Sequence, residues 1–211
     1  MRSIHNSNYH TIPALQKKLQ YHQAQLFKYY SKLLILRIDF SYRKGTISSI
    51  IQDKYQLTQD MVDLMIQCEH YSGIVGEAWV MEKGITHGIH THAIFYINGQ
   101  KHKSIWNFWN EINYIWKKIT LNEGYAHHCK NKEYYKVKGE KVISSDDING
   151  RYNCAYILDY LAKKDQKEDI NIHKLSKLPL NNYKRRGRPR KNTPVILKEY
   201  NQGLFLTYDD N

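Results

Sequence analysis

The chain has 211 residues, enough for one domain with a core and some appended length, and carries 32 Lys and Arg against 20 Asp and Glu, a formal charge of +12. That balance suits a polyanion, nucleic acid first, with a Lys- and Asn-rich codon usage as the plainer explanation. The odd count of three cysteines, Cys68, Cys129 and Cys154, without close pairing, excludes a disulfide framework; no run approaches the ~18 apolar residues of a spanning helix, and MRSIHNSNYH lacks a signal-peptide core, so a soluble cytoplasmic protein with no membrane partner is expected.

In chain order, Thr11 and Pro13 offer a cap and a first-turn proline for a helix through LQKKLQYHQAQLFKYYSK. Leu33 to Phe40 reads as a strand, and Thr58 can cap a second helix with Gly73 just past its end. The strands IVGEAWVME and IHTHAIFYI flank the glycine-bearing KGITHG, as a hairpin requires. From Ser104 a helix repeats Ile105, Trp109, Ile112 and Trp116 at helical spacing, so these side chains are expected in the core. GYAHHC reads as a short strand, and a last helix is expected from about Asp146 to Lys167. His173 to Lys191 contains Pro and Gly but no acidic residue, and reads as a mobile basic arm. His127, His128 and Cys129 lack a second pair of zinc-like ligands and read as strand histidines and a thiol.

Two constellations carry chemistry. Residues i and i+2 of a strand share a side, so His90 and His92 can converge on one cation, whereas His87 falls in the turn. A carboxylate from the neighbouring strand would be the third ligand for a divalent ion, Glu82 being nearer in sequence than Glu77. The plainer reading is a surface strand with Ile89, Thr91 and Ala93 on its other side. On the last helix, Tyr156, Tyr160, Lys163, Lys164 and Lys167 fall on one side and Ile157, Leu158, Leu161 and Ala162 on the other. These are either a snorkelling surface or phenols set beside phosphate-binding cations. A metal that polarises a phosphodiester, a phenolic nucleophile and a nearby lysine together make up a DNA-cleavage site.

The set His90-Thr91-His92 followed by Tyr156-Ile-Leu-Asp-Tyr160-Leu-Ala-Lys163 resembles the HUH endonuclease superfamily, in its two-tyrosine replication-initiator form. Leu36-Arg37-Ile38-Asp39-Phe40 and the Asp165-Gln166-Lys167 ending bring it nearer the inovirus-type phage and prophage replication proteins, over roughly residues 30 to 170. Thr91 departs from the bulky hydrophobic of that superfamily, and Asp159 stands where a serine is frequent. The resemblance implies an α+β fold, a central antiparallel sheet flanked by helices with a ferredoxin-like or RRM-like core. It also implies Mg or Mn held by His90, His92 and Glu82, and nicking of single-stranded origin DNA in a bacterial host. Tyr160 would attack the scissile phosphate, leaving a 5′-phosphotyrosine and a free 3′-hydroxyl; Tyr156 would carry the second transfer, and Lys163 would orient the phosphate. Arg37, Lys164 and Lys167 would contact DNA.

In the arm, Arg186-Gly187-Arg188-Pro189-Arg190 is similar to an AT-hook core, or is a generic phosphate-binding tail; either way Arg186, Arg188 and Arg190 are expected on DNA. The expected organisation is a helical segment at 1–30, a nicking domain at 31–172 and a basic arm with tail at 173–211. A rolling-circle replication initiator working with a host helicase and polymerase is one function. A non-catalytic prophage DNA-binding regulator with the same fold, or a relaxase or transposase, are the others.

Overall fold

A computed structural model describes residues 10–84, 88–130, 141–165 and 172–179. His87, Lys167 and the arginines Arg186, Arg188 and Arg190 lie outside the described residues. The elements are α1 (Pro13–Tyr29), β1 (Lys32–Tyr42), α2 (Ile47–Ile51), α3 (Lys54–Glu69), β2 (Ile74–Gly84), β3 (Gly88–Asn98), α4 (Trp106–Ile119), β4 (Gly124–His128), β5 (Val142–Ser144), α5 (Ile148–Leu161) and β6 (His173–Leu175). The fold is α+β, as expected: one six-stranded antiparallel sheet, in the order β4-β1-β3-β2-β6 with β5 also pairing β1, lies between two helical layers.

Side-chain alternation builds both layers. Leu34, Leu36, Ile38 and Phe40 of β1, Trp79 and Met81 of β2 and Phe95 and Ile97 of β3 pack on Leu57, Met61 and Leu64 of α3 and Phe108, Ile112 and Trp116 of α4. The intervening positions Leu33, Ile35, Ala78, Val80, Ile94 and Tyr96 pack on Leu19, Leu26 and Phe27 of α1 and Leu158 and Leu161 of α5. Because the central strands are covered on both faces, their sequences read as nearly continuous apolar runs, which makes the strands legible but not which helical layer each face of β1 or β2 meets.

Several boundaries move from the expectation. Ile12 occupies the cap position of α1 without a side-chain cap bond. Asp53, whose carboxylate accepts from Tyr55 N–H, caps α3 five residues before Thr58, and the Thr58 hydroxyl donates to the Lys54 carbonyl one turn back. Trp116 is fully buried and Trp109 packs at the margin of the same cluster. Of the stretch read as an arm, His173–Leu175 is a strand on the β2 edge, where Ala78, Trp79 and Val80 supply the backbone partners.

The most consequential change is the end of α5. The helix stops at Leu161 rather than Lys167. Thr11 and Lys163 form an antiparallel bridge, with Ile12 N–H donating to Ala162 C=O and Lys164 N–H to His10 C=O, both at 2.7 Å. Backbone groups that would have continued the helix are satisfied by the segment preceding α1 instead.

Candidate metal and tyrosine centre

The β2–β3 register sets Glu82 directly opposite His90, and the β1–β3 register sets Asp39 directly opposite His92. Directly opposed residues share a face, so all four project on the α1/α5 side. There His92 Nε2 lies 3.3 Å and His90 Nε2 3.9 Å from Glu82 Oε2. Glu82 is fully buried and His92 nearly so.

Each imidazole has its other nitrogen engaged. His92 Nδ1 is 2.6 Å from Asp39 Oδ1, and His90 Nδ1 is 3.0 Å from the Gly88 carbonyl oxygen. An Nδ1–H donating to such an acceptor fixes the ring and turns Nε2 inward, the arrangement common behind metal-bound histidines. Gly88 is needed for this contact: its φ is +66°, and a Cβ there would strike the Gln52 side chain. Glu82, His90 and His92 thus form a buried group that could bind a metal ion, with ligand atoms all within 4.8 Å of one another. Metal–ligand bonds of roughly 2.0–2.2 Å place donors roughly 3–4 Å apart, so a contraction on the order of 1 Å closes the group. Two nitrogens and a carboxylate oxygen suit a borderline divalent ion.

The electrostatics are mutually reinforcing. Burial opposes the Asp39 charge, but the His92 hydrogen bond and charge, followed by Arg37, hold its carboxyl well below the usual carboxylate range. Burial likewise opposes a charged His92, yet Asp39 and Glu82 raise its pKa. Burial, and then the charge of His92, lower that of His90.

The tyrosine comes from α5. The Tyr160 ring centroid is 5.1 Å from that of His92, the Arg37 guanidinium carbon is 4.3 Å and Lys163 Nζ 4.6 Å from its own. Lys163 Nζ is also 3.2 Å from Glu82 Oε2. Lys163 therefore joins the cluster, though through the bridge to Thr11 and not as part of a helical face. Arg37, expected at DNA, lies within this centre, 3.8 Å from Asp39.

Other candidates do not converge here. Tyr156 is half-buried one turn earlier on α5, and among the described residues none of the ring or ionic contacts of the cluster reaches it. Lys164 is exposed beyond the helix end. Glu77 shares β2 with Glu82 but stands an odd number of residues away and so faces α3 and α4; it cannot replace Glu82. Burial, with Glu69 nearby, pushes its carboxyl up to about 7. Asp159, next to Tyr160 in sequence, is buried toward α1, where its Oδ1 accepts from Gln16 at 2.7 Å and Gln20 at 2.9 Å. His127 and His128 point to opposite faces, His128 stacking on Trp109 at 5.1 Å, so they do not share an ion.

Asp39 was legible only as part of an Arg-x-Asp strand pattern. Its role in orienting His92 depends on β1 lying beside β3, with no local sequence signal. Among the described residues no helix is long and apolar enough to cross a membrane. A scan against protein-family models and searches of curated proteins and of solved structures returned no match.

Proposed function

We propose that the chain is a metal-dependent nicking and joining enzyme for single-stranded DNA, with Tyr160 as nucleophile, acting as a replication initiator. The observation that carries this reading is the packing of Tyr160 against His92, with Lys163 touching both the ring and Glu82. A phenol, two cations and an N,N,O donor set in one place are what transesterification of a phosphodiester requires. The resemblance to two-tyrosine replication initiators supports it, as does the charge of +12.

His90, His92 and Glu82 would hold a divalent ion, Mg or Mn, which when bound supplies Lewis-acid polarisation of the phosphate. Tyr160 forms a bond from its phenolic oxygen to phosphorus, the bond from phosphorus to the 3′ oxygen breaks, and the phenolic proton ends on that oxygen. The phosphotyrosine keeps the energy of the broken ester, so attack by a 3′-hydroxyl rejoins the strand. Lys163 and Arg37 flank the ring and meet the phosphate charge. Asp39 holds the His92 tautomer.

The test is a denaturation-resistant adduct between the protein and labelled single-stranded oligonucleotides of random sequence, in Mn. Wild type forms it through Tyr160, and Tyr160→Phe lowers its yield by roughly 1,000-fold or more, the scale for removing a nucleophile. Tyr156→Phe retains it, because Tyr156 stands outside the cluster. Absence of an adduct from wild type in Mn or Mg would leave the regulator reading in its place.

A further inference from the structure

Beyond the cluster, the same sheet face continues across β1 onto β4. The register places His127 opposite Asp39 and Tyr125 opposite Ser41. Tyr125 and His127 therefore project to the side that holds His92, Asp39 and Glu82. Neither α1 nor α5 covers them: Tyr125 is 49% exposed, and His127 is exposed as well. Their ring centroids lie 6.5 Å apart with 27° between planes, two neighbouring and nearly parallel exposed rings on β4, the edge strand paired to β1. Arg43, exposed, reaches the same strand, its Nε donating to the Gly124 carbonyl at 3.2 Å, and the exposed Lys44 follows it in the chain.

We infer that Tyr125 and His127 form a base-stacking platform that seats a single-stranded nucleic acid passing the metal and tyrosine centre, with Arg43 and Lys44 on its phosphates. Stacked planar rings bind a nucleobase without regard to sequence, and cations beside them supply the phosphate contacts. β4 is two strand spacings from β3, roughly 10 Å, well inside the ~4 to 16 nucleotides that a small single-strand-binding fold covers. The charge of +12 matches such a ligand. The inference rests on the nucleic-acid reading above.

Fluorescence anisotropy of the full chain with a fluorescein-labelled single-stranded oligonucleotide of mixed sequence, in EDTA to prevent cleavage, tests it. Tyr125→Ala with His127→Ala weakens binding on the order of 10-fold to 100-fold, and leaves the slope of log affinity against log salt unchanged. Tyr125→Trp restores or strengthens binding. Arg43→Ala with Lys44→Ala lowers that slope by about one to two charges. Circular dichroism and Mn affinity like those of wild type verify that the variants fold, as expected for exposed positions. Wild-type affinity in the double alanine variant, or a loss that Tyr125→Trp does not rescue, overturns the platform alone. Absence of oligonucleotide binding by wild type overturns the platform and the nucleic-acid reading together.

Discussion

Glu77 and Glu82 are both buried on the same strand, yet an odd separation sends them to opposite faces of the sheet and into opposite chemistry. Glu82 enters a cluster of two imidazoles and a lysine, with Lys163 Nζ at 3.2 Å. Glu77 faces α3 and α4, where burial and Glu69 outweigh the pull of Lys174 and its carboxyl is pushed up to about 7. Burial that Lys174 does not offset thus drives Glu77 toward neutrality, whereas Glu82 has a lysine and two imidazoles within ion-pair distance. Glu82 can serve a metal ion; Glu77 is a cost to stability.

The largest effect that tests this contrast is at Glu82. Glu82→Ala removes the oxygen ligand and leaves Lys163 without its carboxylate; Mn affinity by titration calorimetry is expected to fall by at least about 100-fold, and urea unfolding to show a loss of about 3 kcal/mol. Retained Mn affinity would show that this carboxylate is no ligand.

Glu77→Gln should act in the other direction. The Glu77 pKa rises from 4.5 in the unfolded reference to about 7 in the fold, so between these values the folded chain holds a proton that the unfolded chain has released. Stability from this group therefore falls as pH rises through that window, and the penalty is complete above it. The variant is expected to gain about 2 kcal/mol at pH ~8 and little at pH ~4, read from urea midpoints across pH. A gain independent of pH would contradict the assignment.

Asp39→Asn is smaller and more selective. The amide keeps the shape but not the charge that orients His92, so Mn affinity should fall ~10- to 100-fold while the unfolding midpoint moves little by comparison. An unchanged affinity would place Asp39 outside the functional network.

These residues differ in how visible they were. His90 and His92 follow from the period of a strand, and Glu82 from the hairpin joining it to β2, both local properties. Asp39 acts across a strand pair formed by segments far apart in sequence, and its partner was unreadable from β1 alone. Lys163 was singled out on a helical face that ends at Leu161; it reaches Glu82 because residues before α1 pair with it. The helical pattern through Lys167 competed with that pairing, and the tertiary contact prevailed. Asp159 shows the reverse: adjacent to Tyr160 in sequence, it is turned by the helix toward Gln16 and Gln20.

By itself the sequence determined the strands, the hairpin and the histidine pair, because periodicity and turn chemistry act over a few residues. The tertiary structure alone decided which glutamate meets the histidines' face, which carboxylate orients His92, how Tyr160 and Lys163 reach the cluster and where the stacked Tyr125 and His127 lie relative to it. Strand order and register bring these groups together, and both are settled by packing two helical layers on one sheet, a global balance that no short stretch of sequence encodes.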